Sequence, residues 1–408
     1  MNKHTLTMMA LVIGAASATQ AADNYDFCDA MKNQLRFFDA KRDHAENPWI
    51  QEFTLKMRAQ YQAGMIDPAG GNDRLKGAAD GSANRYNNEW RRLRLGAQAK
   101  VLGNYTLYGN FNIGGVDGRR KYSDGDWCSS DNEGALDELY LQGKYEPVTF
   151  TLGKHKPAFM GEYRTSSAKI ITIERSLLVN QLKAEKTWGL SFKNTDSKAK
   201  LGWTAGVWAN GADEDNIWYM PSFDGDNGFL VGLGLNYATG KNSRLYLDYM
   251  HSTRDEAADT SYAYEGSGAR DVLALTWEAK QDRLSFMAEA IAAFDVYEDG
   301  AENAFGLVLM PSYRFSERWE GVFRYQIASG SNAIAHDSRY STTNSTYKSG
   351  SDLVQGFYLG ANYYVCPSDP HAMKLMFGAE YLNSRGTNAD GDKGFTGWNL
   401  TTAVRVNF

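Results

Sequence analysis

Lysine and arginine side chains recur at every second position in several stretches of the chain, and such side chains could bind anions. Lys56 and Arg58 lie two residues apart, as do Arg92 and Arg94. In an extended strand, residues two apart project from the same face of a sheet, so each pair would present its charges together. The cations that share this predicted face are Lys56, Arg58, Arg92, Arg94, Lys100, Lys144, Arg244, Arg314, Arg324 and Arg405. A water-filled wall of this composition would attract anions through charge and hydrogen bonds.

Carboxylates occupy the same predicted face and leave two interpretations open. These acids are Glu138, Asp248, Glu278, Glu289, Glu320 and Glu380. In the first interpretation, the basic residues of the first two strands form a positive wall that selects anions. In the second, cations and carboxylates pair across the interior and only shape a transverse field. The formal net charge of −6 does not choose between them, because many acids lie in predicted loops, but it argues against a nucleic-acid partner.

Catalytic and metal-binding patterns are missing from the sequence. The six His residues are scattered, and none has a Cys or His at the spacing of metal ligands. The G-x-S-x-G pattern of a nucleophilic serine does not occur. We therefore predict no catalytic residue, no metal and no other cofactor. The alternative is a calcium site in the Asp-rich stretch 224–227.

The elements that must position these cations are β-strands. From Phe53 to Tyr61, apolar residues at odd positions alternate with mainly polar residues at even positions, which is the period of a sheet with chemically different faces. Similar alternation returns along the chain and predicts about sixteen strands, with cores near 52–63, 90–101, 104–114, 136–145, 148–155, 186–194, 200–209, 228–239, 243–252, 271–280, 283–294, 304–315, 319–328, 353–365, 373–382 and 397–408. An even count is typical of antiparallel barrels in bacterial outer membranes.

The connections between these strands alternate between short and long. Short links are predicted at 102–104, 146–147, 240–242, 281–282 and 316–318, and long polar segments separate them. A transmembrane barrel with short periplasmic turns and long external loops has this alternation. A soluble β-sandwich, the alternative fold, has no reason to sort its loops in this way. The mean hydropathy of −0.50 is compatible with a barrel, because only every second residue of a strand faces lipid.

Both ends of the chain have the features of an exported barrel. Residues 1–21 resemble a signal peptide, with Lys3 before a short apolar run and a cleavage site after Ala21. Residues 22–51 have apolar side chains near helical spacing, so we predict a short helical segment in the periplasm before an all-β transmembrane barrel over residues 52–408. The last strand alternates from Trp398 to the terminal Phe408, and a terminal Phe on such a strand resembles the recognition sequence of outer-membrane barrels.

The three cysteines of an exported chain would meet an oxidising compartment, where at most one internal pair can form. Counting loops along the chain places Cys28 and Cys366 on the periplasmic side and Cys128 in an external loop. We therefore predict a disulfide between Cys28 and Cys366 that fastens the N-terminal segment to the base of the barrel. Reduced, separate thiols are the alternative.

Two blocks of sequence resemble one known family. In the longer block, residues 150–159 (FTLGKHKPAF) are followed by a Thr-Ser-Ser stretch at 165–167 and by Glu-Arg-Ser-Leu at 174–177. The second block is Arg-Arg-Leu-Arg-Leu-Gly at 91–96. In order and character the blocks resemble the phosphate-selective porin O/P family, whose members have G-x-x-K-P-x-F-like, T-S-S, E-R-S-L and R-R-x-R-x-G stretches.

This resemblance implies a sixteen-stranded barrel, usually trimeric, whose third external loop folds inward as a constriction. Here that loop is 156–185, and the implied filter consists of Lys156, Arg164, Lys169 and Arg175, with Lys154 and His155 just before it. The chain departs from phosphate-specific members because it has no regular ladder of Arg and no dense Lys cluster, and because Glu162, Glu174 and Glu185 lower the charge of the loop. General anion or small-solute diffusion is therefore favoured over phosphate specificity. Alternatively, Glu174 and Arg175 form salt bridges that tie the loop to the wall.

Together these patterns predict a passive, anion-preferring porin of the bacterial outer membrane, and not an enzyme. Its expected partners are membrane lipid and lipopolysaccharide, small hydrophilic solutes or anions, and two further copies in a homotrimer. A barrel enzyme and a structural or adhesive barrel are the alternatives. The enzyme would need a Ser, a His and an acid that converge at the barrel rim.

Overall fold

The computed structural model describes residues 35–41, 47–68, 86–113, 122–123, 126–127, 136–184, 186–209, 228–253, 269–296, 302–335, 350–386 and 396–408. In chain order its elements are β1 (Arg36–Asp39), β2 (Ile50–Pro68), β3 (Tyr86–Val101), β4 (Tyr105–Asn112), β5 (Tyr122–Ser123), β6 (Asp126–Trp127), β7 (Leu136–Tyr145), β8 (Val148–His155), α1 (Gly161–Arg164), α2 (Leu177–Leu182), β9 (Thr187–Asn194), β10 (Leu201–Ala209), β11 (Phe229–Gly240), β12 (Ser243–Ser252), β13 (Ala269–Gln281), β14 (Leu284–Val296), β15 (Glu302–Arg314), β16 (Trp319–Ala335), β17 (Gly350–Tyr364), β18 (Met373–Arg385) and β19 (Gly397–Asn407).

Sixteen of these strands, all except β1, β5 and β6, form one closed antiparallel barrel. Each strand pairs with the next along the chain, and β19 closes the ring by pairing with β2, with Val404 opposite Tyr61. β5 and β6 form a separate two-stranded sheet. Closure pairs the backbone groups along both edges of every strand, which a sheet needs to cross a membrane. The predicted barrel and its strand count are confirmed.

Burial is inverted relative to a soluble protein, as expected for a barrel surrounded by lipid. The outward-facing Phe111 and Leu233 are 40% and 52% exposed, whereas the inward-facing Gln60 and Arg405 are fully buried. Short turns at 102–104, 146–147, 241–242 and 282–283 lie on one rim, and the long connections leave from the other. Among the described residues, no helix is both long and apolar enough to cross a membrane.

The N-terminal segment differs from the predicted helix where the structure describes it. Residues 36–39 form β1, which pairs with β2 from Glu52 to Thr54; residues 1–34 and 42–46 lie outside the described part. β2 extends beyond the end of β19, and Phe408, which follows β19, exchanges two backbone hydrogen bonds with Met57. β1 pairs with the edge of β2 that β19 leaves open. Hydrogen bonding to this open strand edge outweighs the apolar spacing that predicted a helix.

The terminal Phe408 is buried in a small apolar cluster with Cys366 and Ala372, against which Leu35 and Val406 pack. Cys366 is disulfide-bonded. Cys28 and Cys128 both lie outside the described residues, so the pairing of Cys366 with Cys28 stays a prediction.

Peptide mapping without reduction is expected to recover Cys366 linked to Cys28. Replacing either residue with alanine should lower the free energy of unfolding by about 2–4 kcal/mol, because the cross-link restricts the unfolded chain. Cys128→Ala is the matched control and should leave stability unchanged. A peptide that links Cys366 to Cys128 would show that the predicted loop topology is wrong.

Candidate functional site: the barrel lumen and its inner segment

The connection between β8 and β9 contacts inward-facing side chains around the barrel. We call its described residues, 156–184, the inner segment; it contains α1 and α2. Arg324 of β16, Arg405 of β19 and Asp248 of β12 all bind it, and these strands lie on different sides of the ring. The inner segment therefore crosses the lumen and does not cover an outer surface.

One side of the inner segment is apolar and packs against apolar inward-facing residues of the wall. Phe159, Met160, Leu178, Val179 and Leu182 are at most 3% exposed. They form a buried cluster with inward-facing residues of β10–β17, which are Trp208, Leu230, Met250, Ala269, Val272, Ala274, Ile291, Ala293, Val296, Ala304, Ala328 and Val354. This part of the barrel interior is packed like a protein core, which fixes the segment through burial of apolar surface.

Small wall residues create the space for this packing. A Cβ atom at Gly232 would lie 2.1 Å from Cε2 of Phe159, and one at Gly306 would lie 2.4 Å from Cδ2 of Leu178. Both distances are shorter than van der Waals contact. These glycines therefore permit a close approach between wall and segment.

Gly232→Ala is expected to lower the free energy of unfolding by about 1–3 kcal/mol, the usual cost of overpacking a buried site. Phe159 is 1% exposed and has little room to move. Gly109→Ala on β4 is the matched control, because its new Cβ would meet Leu139 at a nearest distance of 3.3 Å. Urea titration of both variants in lipid vesicles measures the difference, and equal stabilities would contradict the packing argument.

Ion pairs hold the other parts of the inner segment to the wall. Glu162 accepts from Arg324 at 3.3 Å, and the same guanidinium binds Glu380 of β18 at 2.9 Å. On another side, Arg164 pairs with Asp248 and lies 3.8 Å from the ring centre of Tyr246. These charges are largely buried, so each needs its partner to offset the loss of water.

Glu174 is held by two consecutive arginines of β3. Its carboxylate lies 2.9 Å from Nε of Arg91 and 3.9 Å from Nη2 of Arg92. Consecutive strand residues normally face opposite ways, but the pairing of β2 with β3 shifts between Arg92 and Trp90. This irregularity, a β-bulge, allows both side chains to reach the lumen. The predicted tie between the loop and the wall therefore exists at Glu174, whereas Arg175 bonds within the segment, to the carbonyls of Glu162 and Thr165.

Backbone carbonyls of the segment are bound by buried cations. Arg405 donates to the carbonyls of Ile170 and Ile173 at 2.8 and 3.1 Å, and Lys374 donates to the Ile170 carbonyl at 2.7 Å. Burial and the nearby Lys374 charge lower the pKa of His371, in the turn before β18, to about 4. His371 is therefore neutral at pH 7 and adds no positive charge beside Lys374.

Comparison with known proteins agrees with this geometry. The model of the family described as phosphate-selective porin O and P matches residues 53–261, which is about half of the chain. This chain belongs to the phosphate-selective porin O and P family. No curated protein matches its sequence.

Solved structures agree on the fold of this porin. The anion-selective porin from Comamonas acidovorans has a TM-score of 0.56 at 10% identity, over 87% of this chain and 99% of that one. Salmonella typhi OmpF, solved with daunomycin, has a TM-score of 0.56 at 13% identity, over 88% and 98%. The outer-membrane channel DcaP of Acinetobacter baumannii has 0.53 at 13%, over 88% and 97%. With the family match, this fold identifies the protein as a porin of the bacterial outer membrane.

Several of the cations that were predicted to bind anions make hydrogen bonds or ion pairs within the porin itself. Arg324 and Arg405 bind the inner segment as described, and Arg175 bonds within it. Arg94 pairs with Asp137 at 2.8 Å, and Arg244 donates to Asn236 and to the carbonyl of Ala199. Arg94 and Arg324 pair with carboxylates, as the second interpretation of the sequence expects. Arg175, Arg244 and Arg405 bind carbonyl or amide oxygens instead.

Other predicted cations have different surroundings. Arg58 donates to the hydroxyls of Ser167 and Ser166 at 2.8 and 3.3 Å. Lys156 lies 4.2 Å from the ring centre of Tyr163, Lys169 is exposed, and Lys100 pairs with Glu52. Lys56 and Arg92 lie on the inward face of β2 and β3. Arg314 lies 4.7 Å from the ring centre of Tyr364.

Lys154 does not share the inward face. It has the parity of the exposed Leu152, and its cross-strand neighbours are Leu139 and Trp188. The family-like block 150–159 contains both Lys154 and Lys156, and the sequence alone did not separate the two lysines. We therefore leave Lys154 out of the lumen wall.

Two cavities lie on the short-turn side of the inner segment. The first, of about 720 Å³, lies between residues 162–172 and the wall of β11–β15; it is lined by cations that include Lys169, Arg244 and Lys280. The second, of about 120 Å³, lies beside β2–β4 and is lined by Lys56, Arg58 and Arg94. Acidic side chains are fewer than basic side chains in the first cavity and are absent from the lining of the second.

A serine and a histidine lie together at the base of the inner segment. Nε2 of His155 lies 2.9 Å from Oγ of Ser191 and accepts from Nε1 of Trp208 at 3.0 Å. Nδ1 of His155 donates to the Gly153 carbonyl, not to a carboxylate as in a catalytic triad. Trp208 also competes for the nitrogen that would accept the serine proton, so this pair does not support the barrel-enzyme alternative. Over the described residues, no group of His, Cys, Asp or Glu is arranged to bind a metal.

Some anchoring residues were missed from the sequence. Lys374 has the same parity as Glu380 in one strand, so alternation alone could have placed it in the lumen. Arg91 could not be found in this way, because the bulge changes its parity. Lys186, which pairs with Asp137 and with Glu138 at 3.1 Å, precedes β9 and has the same parity as the outward-facing Leu190, so alternation over the predicted strand 186–194 would place it on the outer face.

Proposed function

We propose that this porin is a passive diffusion channel that prefers anions. The observation that carries the proposal is the cation excess on the short-turn side of the lumen, in both cavities beside the inner segment. Lys144 and Lys193 add exposed charges near the same rim. Charged walls of a narrow water-filled passage raise the local concentration of the opposite ion.

The inner segment is proposed as the constriction of this channel. Its support is the set of contacts that reach from β3 to β12, β16 and β19. The apolar packing against β10–β17 leaves the polar side of the lumen, along β2–β9, for water and solutes. Solutes would then pass the segment along this polar wall and, on the short-turn side, reach the space that both cavities border.

The predicted filter residues take two proposed roles. Arg175, Arg324 and Arg405 hold the segment, because their guanidinium groups are buried and already bonded. Lys56, Arg58 and Lys169 meet passing anions, because they line the cavities. Several weak sites of this kind let an anion leave as well as enter.

Zero-current potentials in a KCl gradient test this function. The purified full-length porin is inserted into a planar lipid bilayer, and we expect stepwise conductance with a potential of the sign that chloride permeation gives. A potential of the opposite sign would contradict the anion preference. Channels that never open would contradict the diffusion function itself.

A homotrimer is the proposed assembly, as the family resemblance implies. Native mass spectrometry in detergent is expected to give three times the mass of the mature chain. A monomer that persists at high protein concentration would contradict it.

A further inference from the structure

The larger cavity has an apolar floor as well as a basic rim. Ile171 of the inner segment lines it together with Met287 and Met310, which pair across β14 and β15. Met287 is 7% exposed, and Met310 and Ile171 are half-buried. These side chains make no hydrogen bonds with a solute, so they favour apolar atoms at this position.

Cations surround this floor on the side of the short turns. Lys169 comes from the inner segment, Lys198 and Lys241 from two turns, and Lys280 from the end of β13. Glu162 and Glu278 also line the cavity, but Glu162 is paired with Arg324. A solute in the cavity would therefore meet positive charge at one end and methyl or thioether groups at the other.

Inorganic phosphate is a poor match for such a site. A volume of about 720 Å³ lies in the range that accommodates organic molecules of many atoms. Tight oxyanion binding favours bidentate arginine contacts, yet the guanidinium of Arg244 is already bonded to Asn236 and to the Ala199 carbonyl. The apolar floor would gain nothing from a bare phosphate ion.

We infer that this cavity is a binding site for amphipathic organic anions, meaning carboxylates with an aromatic or alkyl body, on the path through the porin. The carboxylate lies among Lys169, Lys241 and Lys280, and the apolar body lies against Ile171, Met287 and Met310. This inference rests on the proposed anion-preferring channel and names the class of solute that it selects.

Block of the chloride current by added carboxylates tests the inference. Benzoate, acetate and inorganic phosphate are titrated on both sides of a bilayer that holds the full-length porin in KCl. We expect benzoate to reduce the single-channel current at a concentration roughly tenfold lower than acetate, because its ring is removed from water. Phosphate should resemble acetate or be weaker.

Paired variants locate the effect. The double variant Met287→Ser/Met310→Ser should remove most of the benzoate advantage, while Met287→Leu/Met310→Leu keeps an apolar floor and should preserve it. Lys169→Gln should weaken block by both carboxylates. Lys200→Gln removes an equal charge near the same rim but outside the cavity lining, and should change neither.

The outcomes separate this inference from the proposed function. An anion-type zero-current potential with equal block by benzoate and acetate would overturn the inference and leave the function standing. Unchanged benzoate block in the serine variant would also overturn it. A cation-type potential would overturn the function first. If the serine variant does not insert, the comparison of the three anions on the unaltered porin still decides the result.

Discussion

Arg324→Gln is expected to loosen the inner segment and to raise the single-channel conductance of the porin. The side chain is 2% exposed and binds Glu162, Glu380 and the carbonyl of Glu174. Its removal leaves Glu162, itself 3% exposed, without its charged partner. Breaking a buried pair in this way costs about 3–5 kcal/mol, since an uncompensated charge stays out of water. The segment should therefore leave its position part of the time, with larger and noisier current.

Conductance in planar bilayers and urea unfolding in vesicles measure this effect together. Arg283→Gln is the matched control, because Arg283 is an exposed turn residue that donates to the carbonyl of Phe315. The double variant Arg324→Gln/Glu162→Gln removes both charges and should recover part of the stability. A single variant with unchanged conductance and unchanged stability would show that the pair does not hold the segment.

Lys56→Gln/Arg58→Gln is expected to remove much of the anion preference. Both residues line the smaller cavity, which has no acidic side chain in its lining, so the variant removes two of its three cationic side chains. In water, one unit charge changes the energy of an ion 4 Å away by about 1 kcal/mol. Two such changes should move the zero-current potential in a KCl gradient clearly toward zero. The shift should be larger at low ionic strength, where screening is weaker.

The control for this variant removes the same charge from outside the lumen. Lys200 lies 5.5 Å from the ring centre of the exposed Tyr237, and Arg283 is in a turn, so Lys200→Gln/Arg283→Gln should leave the potential unchanged. Equal potentials in the two double variants would contradict the proposed role of Lys56 and Arg58. Because Arg58 also donates to Ser166 and Ser167 of the inner segment, the single-channel conductance is measured with the potential, and an unchanged conductance shows that the segment has kept its position.

The barrel could be predicted from the sequence because alternation is a local property of each strand. Phe111, Leu233 and Arg405 all face the side that their parity predicts. Loop parity likewise placed the short turns on one rim. Such patterns repeat many times, so an error in one strand does not change the architecture.

The interior could be predicted only in part, because the inner segment interacts with residues far away in the sequence. Alternation placed Arg324 and Arg405 in the lumen. It could not show that Arg324 would pair with Glu162 or that Arg405 would donate to the carbonyl of Ile170. Apolar residues on the inward face of the later strands, such as Val272 and Ala293, were not recognised from the sequence as a packing surface, although a water-filled lumen does not require apolar side chains. They mark the surface that the segment covers.

Two arcs of the barrel wall, β10–β17 and β2–β4, have different roles. Strands β10–β17 support the inner segment through tightly fitted apolar groups, and β2–β4 present cations to an aqueous space. Substitutions on the polar arc can therefore alter the passage of ions past the inner segment without loosening the scaffold. On the other arc, cavity residues such as Met287 and Lys280 lie outside the packed cluster, so they can diverge while the side chains that hold the segment change slowly.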